Sequence, residues 1–223
     1  GNNFTDPING KSYRKFLPYG YVKQRKNALC PGTLSLERHR LLWLYLTNET
    51  DFFTNKIRVL HIAPEQCFYK IFKNLENINY TTFDLNSPLA DVKGDICKMP
   101  FKNNSFDYVL CNHVLEHISD DKKAMMEIFR VLNFNGTAIL QVPINMSNTT
   151  TLEDNGITNK QERIEKFGQY DHVRLYGLDY FKRLKNIGLD VNQVKYALNF
   201  NEKEILKYSI EKDEVIPICK KLI

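Results

Sequence analysis

The sequence predicts an α/β protein in which parallel strands alternate with helices. From Lys56 onward, short β-branched and aromatic runs are followed by segments whose apolar residues recur at helical spacing. The run FDYVLCN at 106–112 is mostly apolar, as is usual for a strand buried on both faces of a sheet. The intervening helical segments provide the crossovers that parallel strands require. We therefore expect one mostly parallel sheet with helices on both faces.

The predicted elements follow one another at short intervals. Six further runs are predicted as strands: 57–62, 78–85, a short piece within 91–101, 137–144, a segment after Gly188, and 214–222. Helices are predicted at 65–75, 121–136, 177–188 and 202–210, with Gly136 and Gly188 as helix stops. The long polar segment 144–180 interrupts this alternation, and we interpret it as a lid or binding loop.

The first part of the chain lacks this alternation. Residues 1–32 show no steady periodicity and are interpreted as an irregular arm, whereas SLERHRLLWLYLTNE at 35–49 predicts an amphipathic helix capped by Ser35. We expect this helix to pack on the core through Trp43. The predicted organisation is an N-terminal arm and helix at 1–56 and a single domain at 57–223.

Composition narrows the class of protein. With 223 residues, 43% hydrophobic and 26% charged, the chain is expected to fold into a globular structure rather than remain disordered. No apolar run approaches the roughly 20 residues that cross a bilayer, and the first residues lack the plan of a secretory signal. The five cysteines are scattered and odd in number, which favours reduced thiols and a cytoplasmic location. The net charge of +5 comes without a basic face, so we expect neither nucleic-acid nor membrane partners.

Acidic residues stand where successive predicted strands end. Asp84 ends the second strand, about twenty residues after the first loop, and Asp95 follows the third. In open parallel sheets, ligands bind beyond the carboxyl ends of the strands, where such a carboxylate accepts hydrogen bonds from ribose hydroxyls. Each aspartate alone is equally well explained as a turn residue. Their occurrence at neighbouring strand ends predicts a ligand that contains adenosine.

These strand-end residues belong to a longer pattern. VLHIAPE, FDL, GDICKMPFKNNSFDYVLCNHVLEHISD and EIFRVLNFNGTAILQVP, in this order and spacing, resemble the class I S-adenosylmethionine-dependent methyltransferases, closely over residues 57–143. The resemblance implies a Rossmann-like, seven-stranded, mostly parallel sheet whose last strand is antiparallel. It also implies S-adenosyl-L-methionine as the cofactor and a small molecule as the methyl acceptor.

The resemblance also implies roles for individual residues. Asp84, with Leu85 beside it, would hold the ribose, and Asp95 and Ile96 would contact the adenine. Asn112 and His113 would lie beside the methionine moiety. One departure concerns the first loop, where the family has glycines and this chain has His61, Ala63, Pro64 and Glu65. Because proline fixes φ and removes a donor, we expect the amino-acid end of the cofactor to be held differently, with His61 or Glu65 taking part.

The pentapeptide HVLEH at 113–117 also matches the H-x-x-E-H pattern of inverted zinc peptidases. Such a zinc pair needs both histidines on one helix and a third protein ligand. If FDYVLCN is a strand, His113 lies at the strand end rather than inside a helix. We therefore interpret the match as coincidence and predict no metal site. His117 is a catalytic candidate beside the methyl group, with packing under the following loop as the alternative.

His172 in GQYDHVRLYG is the preferred base or substrate contact, by resemblance to the family's acceptor pocket. Imidazole suits proton removal from a hydroxyl or amine acceptor because its unperturbed pKa is about 6.5. Arg174 is interpreted either as a grip for an anionic acceptor or as a capping group.

Three other functions are alternatives to O- or N-methyl transfer. A cofactor-binding module without transferase activity is the main alternative, because the first loop lacks glycines. An NAD-dependent oxidoreductase would need G-x-G-x-x-G after the first strand, which HIAPEQ does not provide. A zinc hydrolase would need the metal that the HVLEH geometry does not support. The sequence leaves the acceptor, the methylated atom and the oligomeric state open.

Overall fold

The computed structural model describes residues 1–20 and 24–222. Thirteen strands and six α-helices occur within this part of the chain. The strands are β1 (Phe4–Thr5), β2 (Ser12–Tyr13), β3 (Leu17–Tyr19), β4 (Arg25–Leu29), β5 (Ile57–Ile62), β6 (Ile78–Asp84), β7 (Val92–Lys93), β8 (Phe106–Cys111), β9 (Leu132–Ile139), β10 (Leu152–Glu153), β11 (Arg174–Leu175), β12 (Leu189–Val194) and β13 (Ile216–Lys221). The helices are α1 (Glu37–Glu49), α2 (Gln66–Lys73), α3 (Asp121–Val131), α4 (Lys160–Phe167), α5 (Asp179–Asn186) and α6 (Glu202–Tyr208).

The predicted fold class is confirmed by a seven-stranded sheet. Its strand order is β12-β13-β9-β8-β5-β6-β7. The pairs β5–β8, β8–β9 and β6–β7 are parallel, whereas β13 runs antiparallel to β9. The central strand β8 is buried over nearly its whole length, in keeping with its apolar sequence.

The chain reverses its direction of travel across the sheet at β5. From β5 it proceeds outward to β6 and β7, and it then returns to pair β8 on the other side of β5. In doubly wound folds, the crevice beyond the carboxyl ends of the strands at such a reversal is where ligands bind. The strand ends singled out in the sequence therefore lie at the expected ligand-binding edge.

The chain divides into two compact units. One comprises Ile57–Pro64, Asn79–Gln193 and Pro217–Ile223 and contains most of the sheet. The other comprises Gly1–Lys56, Glu65–Ile78 and Val194–Ile216. In this second unit, Trp43 of α1 stacks on Phe72 of α2, with an interplanar angle of 8°. The predicted division into 1–56 and 57–223 remains a prediction.

The N-terminal segment is more regular than predicted. The sequence was interpreted as an irregular arm over 1–32, but two antiparallel strand pairs form there, β1–β2 and β3–β4. The expected Ser35 cap of α1 is wrong. The cap is Leu36, whose amide N–H donates to His39 Nδ1 at 3.0 Å, while the hydroxyl of Ser35 bonds to Asp6.

Two predicted boundaries also differ in the sheet-containing unit. Helix α3 ends at Val131 rather than at Gly136, because Leu132 becomes extended and pairs with Phe106 of β8. Gly136 lies within β9, where a Cβ would come within 3.0 Å of the Asp107 carbonyl oxygen, so it allows a close strand approach. The polar segment 144–180 contains α4 in addition to loop.

No helix among residues 1–20 and 24–222 has the length and apolar character needed to cross a membrane.

Candidate active site

A crevice opens at the carboxyl ends of β5, β6 and β7. It is lined by Ile62, Ala63, Phe83, Asp84, Leu85, Gly94, Asp95, Ile96, Val114 and Ile118. Five of these residues were predicted as cofactor contacts from the sequence: Ala63, Asp84, Leu85, Asp95 and Ile96. The structure thus brings the two strand-end aspartates to one crevice, as the sequence pattern indicated.

Both aspartates also shape their own turns. Asp84 Oδ1 accepts hydrogen bonds from the amides of Asn86 and Ser87, at 2.8 and 2.7 Å. Asp95 Oδ1 accepts from the Cys97 amide at 2.8 Å. The turn-forming interpretation and the ligand interpretation therefore hold together, because one oxygen of each carboxylate fixes the loop. The second oxygen of each can accept a hydrogen bond from a ligand.

Leu85 and Ile96 give the crevice its apolar surface. Leu85 is 62% exposed, which is unusual for a leucine in a lining position, whereas Ile96 is buried. An exposed aliphatic side chain at a strand end provides a surface on which a flat ring can pack. Acidic acceptors beside apolar walls fit an adenosine, whose hydroxyl and amino groups donate and whose base is flat.

The first loop reaches the glycine-like conformation without glycine. Ala63 has φ of +49°, in the left-handed region that normally favours glycine. Its amide N–H donates to the Phe83 carbonyl at 2.9 Å, which fixes the loop to the end of β6. Alanine therefore takes the conformation that the missing glycines would supply, at a cost of about 1–2 kcal/mol.

The remaining predicted cofactor contacts lie outside the crevice lining. His61 is fully buried, and its Nδ1 lies 2.7 Å from the Tyr80 hydroxyl. Pro64 is buried, and Asn112 is 4% exposed, with its Oδ1 accepting from the Gln141 amide. None of these three residues lines the crevice. Their predicted contacts with the cofactor stay predictions.

Glu65 and His113 are placed differently again. Glu65 belongs to the other compact unit, where its Oε1 lies 3.8 Å from His39 Nε2. His113 adopts φ of +54° directly after β8, and its amide donates to the Gln141 carbonyl at 2.7 Å.

The sequence did not single out Ile62, Phe83, Val114 and Ile118 as lining residues. They carry no polar signal, and only their positions beside the strand ends could have identified them.

The HVLEH segment forms no helix that holds both histidines. Only Leu115–His117 form a short 3₁₀ turn, and His113 precedes it in a left-handed conformation. The expected loss of the i,i+4 geometry is therefore correct. His117 instead meets His172, 55 residues later, with ring centroids 4.7 Å apart and planes at 83°.

Glu116 lies beside these two histidines. Its side chain is 2% exposed, and Oε1 lies 3.4 Å from His113 Nδ1. Burial opposes ionisation, but His113 and then His117 outweigh it and lower the pKa of Glu116. Burial likewise lowers the pKa of His172 below its ordinary value, which keeps its imidazole neutral near pH 7.

Arg174 holds this loop in place rather than facing an acceptor. Its guanidinium is 2% exposed and donates to the carbonyls of Leu115, Ile118 and Ser119. Its Nε also donates to Glu153, at 3.1 Å. The proposed grip on an anionic acceptor is therefore wrong for Arg174. The capping interpretation is the closer one.

A larger hollow of about 630 Å³ lies against α3 and β13. Two basic side chains in its lining already have protein partners: Arg130 pairs with Glu127, and Lys221 donates to three oxygens. The crevice at the strand ends is therefore the better cofactor site.

Comparison with known proteins identifies the same region. Residues 53–140 match the family model described as a methyltransferase domain, and they contain every residue that lines the crevice. This match covers less than half of the chain, so these residues are similar to a methyltransferase domain. The match agrees with the resemblance to S-adenosylmethionine-dependent methyltransferases that the sequence shows over the same residues.

Individual proteins resemble parts or most of this chain. Ajmaline N-methyltransferase from Rauvolfia serpentina is 33% identical over 81 residues, which cover 36% of this chain and 26% of that enzyme. A second curated relative is covered over 35% of its length, so the chain spans about a third or less of the curated relatives it matches.

Solved structures share the fold over most of the chain. The [4+2]-cyclase SpnF has a TM-score of 0.59 at 12% identity, covering 98% of this chain and 92% of its own. Phosphoethanolamine N-methyltransferase 2 from Haemonchus contortus, solved with S-adenosyl-L-methionine, has a TM-score of 0.51 at 16% identity. That match covers 83% of this chain and 53% of the other. At these identities the likeness establishes the fold.

Proposed function

We propose that this protein transfers a methyl group from S-adenosyl-L-methionine to the oxygen or nitrogen of a small-molecule acceptor. The observation that carries the proposal is the convergence of Asp84 and Asp95 on one crevice beside the reversal of strand order. Asp84 would accept from the ribose hydroxyls and Asp95 from the adenine amino group, with Leu85 and Ile96 packing on the base. The cofactor supplies an activated methyl group on a sulfonium.

The two histidines support an acceptor site beyond Val114 and Ile118. The Nδ1 of His172 lies 3.0 Å from the Phe167 carbonyl, which can only accept, so Nδ1 carries the proton and Nε2 the lone pair. A neutral imidazole with a free Nε2 can remove a proton from a hydroxyl or amine. His172 is therefore proposed as the base, and His117 as a second acceptor-side residue. Positioning and proton removal are the main contributions that methyl transfer requires of a protein.

A cofactor-binding module without transferase activity remains the alternative. It is favoured by the first loop, where Ala63 and Pro64 replace glycines, and by the fold shared with a protein named as a [4+2]-cyclase. Both functions predict cofactor binding. They differ in methyl transfer to an acceptor.

Cofactor binding is tested by isothermal titration of the full chain with S-adenosyl-L-methionine and with its demethylated product. Asp84→Asn retains Oδ1 as the acceptor of the two turn amides but removes the negative charge. Loss of a hydrogen bond to a charged group costs about 1.5–3 kcal/mol, so affinity should fall roughly 10- to 100-fold. Asp190→Asn removes the same charge from an exposed position on β12 and should bind as the wild type does.

The result that overturns the proposal is a folded wild-type protein that releases no binding heat, or an Asp84→Asn variant with unchanged affinity. Binding without transfer to any member of a broad panel of hydroxyl and amine acceptors, followed with methyl-labelled cofactor, would favour the module.

The five free thiols accord with a reducing, cytoplasmic location, which we include in the proposal.

A further inference from the structure

We propose that Glu116, His117 and His172 bind one divalent first-row transition-metal ion, with Zn²⁺ as the probe, beside the cofactor crevice. Each residue offers one ligand atom, and these atoms lie within 4.8 Å of one another. The binding of the ion does not depend on methyl transfer, whereas its function would rest on the proposed activity. The sequence pattern alone argues against zinc on a helix, but the structure replaces His113 by the distant His172 as the second imidazole.

The three ligand atoms lie up to 4.8 Å apart, which is slightly farther than they would lie around a bound zinc ion. Around tetrahedral zinc, with bonds of about 2.0–2.1 Å, ligand atoms lie roughly 3.4 Å apart. Atoms 4.8 Å apart at the corners of a triangle would each lie about 2.8 Å from its centre. An inward shift of under about 1 Å per ligand closes the site. His117, with 29% of its side chain exposed, has room for this movement.

Both imidazoles are already oriented as metal ligands. His172 donates its Nδ1 proton to the Phe167 carbonyl at 3.0 Å. The Nδ1 of His117 lies 3.3 Å from the carbonyl and 3.4 Å from a carboxylate oxygen of Asp171, both of which only accept. Each ring therefore keeps its lone pair on Nε2. Metal-bound histidines almost always donate their other N–H to a carbonyl or carboxylate in this way.

The buried carboxylate of Glu116 is the strongest indication of a bound ion. Its side chain is almost completely buried, and neither carboxylate oxygen has a hydrogen bond of normal geometry from any of the described residues, although Oε1 lies 3.4 Å from His113 Nδ1. An ionised carboxylate buried without such bonds is costly, because it loses the hydration it would have in water. A divalent cation held by Glu116 and two neutral imidazoles compensates this charge. The site would then carry a net charge of +1.

The ligand set selects the class of ion. Two imidazoles and one carboxylate suit zinc and its first-row neighbours, whereas magnesium and calcium prefer oxygen ligands only. Three protein ligands leave a coordination position open, as in catalytic zinc sites.

The site borders the proposed cofactor crevice, because Val114 and Ile118 line that crevice and flank Glu116 and His117 in the chain. An acceptor oxygen or nitrogen at the open position would therefore lie close to the crevice. A histidine whose Nε2 binds a metal cannot take a proton there, so the base function proposed for His172 applies to the metal-free protein.

The test uses tag-free full-length protein, treated with a chelator and dialysed. Zn²⁺ is titrated against a chromophoric competitor, and Co²⁺ is added separately to record its visible absorption. We expect one equivalent of Zn²⁺ per chain and the visible bands of four- or five-coordinate cobalt. Glu116→Gln, His117→Gln and His172→Gln should each weaken Zn²⁺ binding at least 100-fold.

His39→Gln provides the matched control. His39 lies at the third position of α1 in the other compact unit, where glutamine can accept the same Leu36 amide bond. Its Zn²⁺ affinity should equal that of the wild type.

The proposal is overturned if folded wild-type protein gives no cobalt bands and binds no Zn²⁺, or if the three ligand variants bind Zn²⁺ as the control does. The cobalt spectrum of the wild type decides the matter even if a variant fails to fold. Because no cofactor is present in these titrations, their failure is separate from a failure to bind S-adenosyl-L-methionine.

Discussion

Replacing Arg174 by methionine should destabilise the sheet-containing unit more than any nearby charge removal. The guanidinium is buried and makes four hydrogen bonds, three to the carbonyls of residues 115, 118 and 119 and one to Glu153. Its Nε also lies 3.7 Å from Asp121 Oδ2. Methionine preserves most of the aliphatic volume but removes the guanidinium donor from the three carbonyl oxygens, whereas Glu153 and Asp121 keep their contacts with Arg183.

The magnitude follows from these contacts. Hydrogen bonds to a charged group contribute about 1.5–3 kcal/mol each, so a simple sum over four would reach roughly 6–12 kcal/mol. That sum is too large, because removing the guanidinium also removes the cost of burying it. Loss of one partner from a buried ion pair typically costs about 3–5 kcal/mol, which we take as the expected change in unfolding free energy. For a chain of this length that corresponds to a fall in Tm of roughly 6–20 °C.

Thermal unfolding followed by far-ultraviolet circular dichroism measures the effect. The single tryptophan, Trp43, belongs to the other compact unit, so circular dichroism is preferred to its fluorescence. Arg183→Met is the matched control, because Arg183 pairs with the same two acids, Glu153 and Asp121, but is 26% exposed. We expect it to cost about 1 kcal/mol, as for a partly exposed ion pair. If Arg174→Met is no more destabilising than Arg183→Met, the proposed support of the loop is refuted.

Two further predictions concern the first loop and the acid limit of stability. Ala63→Gly should raise the unfolding free energy by roughly 0.5–1 kcal/mol, because relief of the left-handed strain exceeds the added entropy of the unfolded chain. Ala124→Gly within α3 is the opposite control. Because this alanine is buried, loss of its methyl group adds to the helix cost of glycine and should lower the unfolding free energy by about 1–2 kcal/mol. Equal effects of the two substitutions in urea unfolding would contradict the strain argument. The hydrogen bond from Arg183 lowers the pKa of Glu153, so the folded state binds this proton less readily than the unfolded chain. The resulting stabilisation is complete above the unfolded pKa of about 4.3 and is lost as pH falls through the lowered value. Glu153→Gln should therefore flatten the acid limb of a plot of Tm against pH, and an unchanged limb would exclude this contribution.

Local patterns predicted the sheet because its strands are continuous and apolar. The run at 106–112 became the buried central strand β8, and the run at 214–222 became the antiparallel strand β13. The boundary at Gly136 failed because a glycine after a helical pattern is usually a stop signal. Here the helix ended earlier, since pairing of Leu132 with Phe106 outweighs further helical propagation.

The crevice was predictable to the extent that its chemistry is polar. Asp84 and Asp95 were identifiable from their positions after strands, whereas Phe83, Val114 and Ile118 have no feature that separates a crevice wall from ordinary core. His61 also stands out as a polar residue at a strand end, but its ring is buried beside the hydroxyl of Tyr80 and does not line the crevice, so its contact with the cofactor stays a prediction.

The cluster of Glu116, His117 and His172 could not be predicted from spacing, because its third member is 55 residues away and is brought in by long-range pairing. The Val173 amide donates to the Glu116 carbonyl at 2.9 Å, and Arg174 binds the carbonyls on either side of His117. These backbone contacts fix the segment 172–174 against the turn 115–118, whatever the side chains of the cluster bind. Loss of Arg174 should therefore weaken Zn²⁺ binding by about 10- to 100-fold, as for other residues that orient metal ligands. A structural histidine pair without a metal function would show no such coupling between the arginine and the ion.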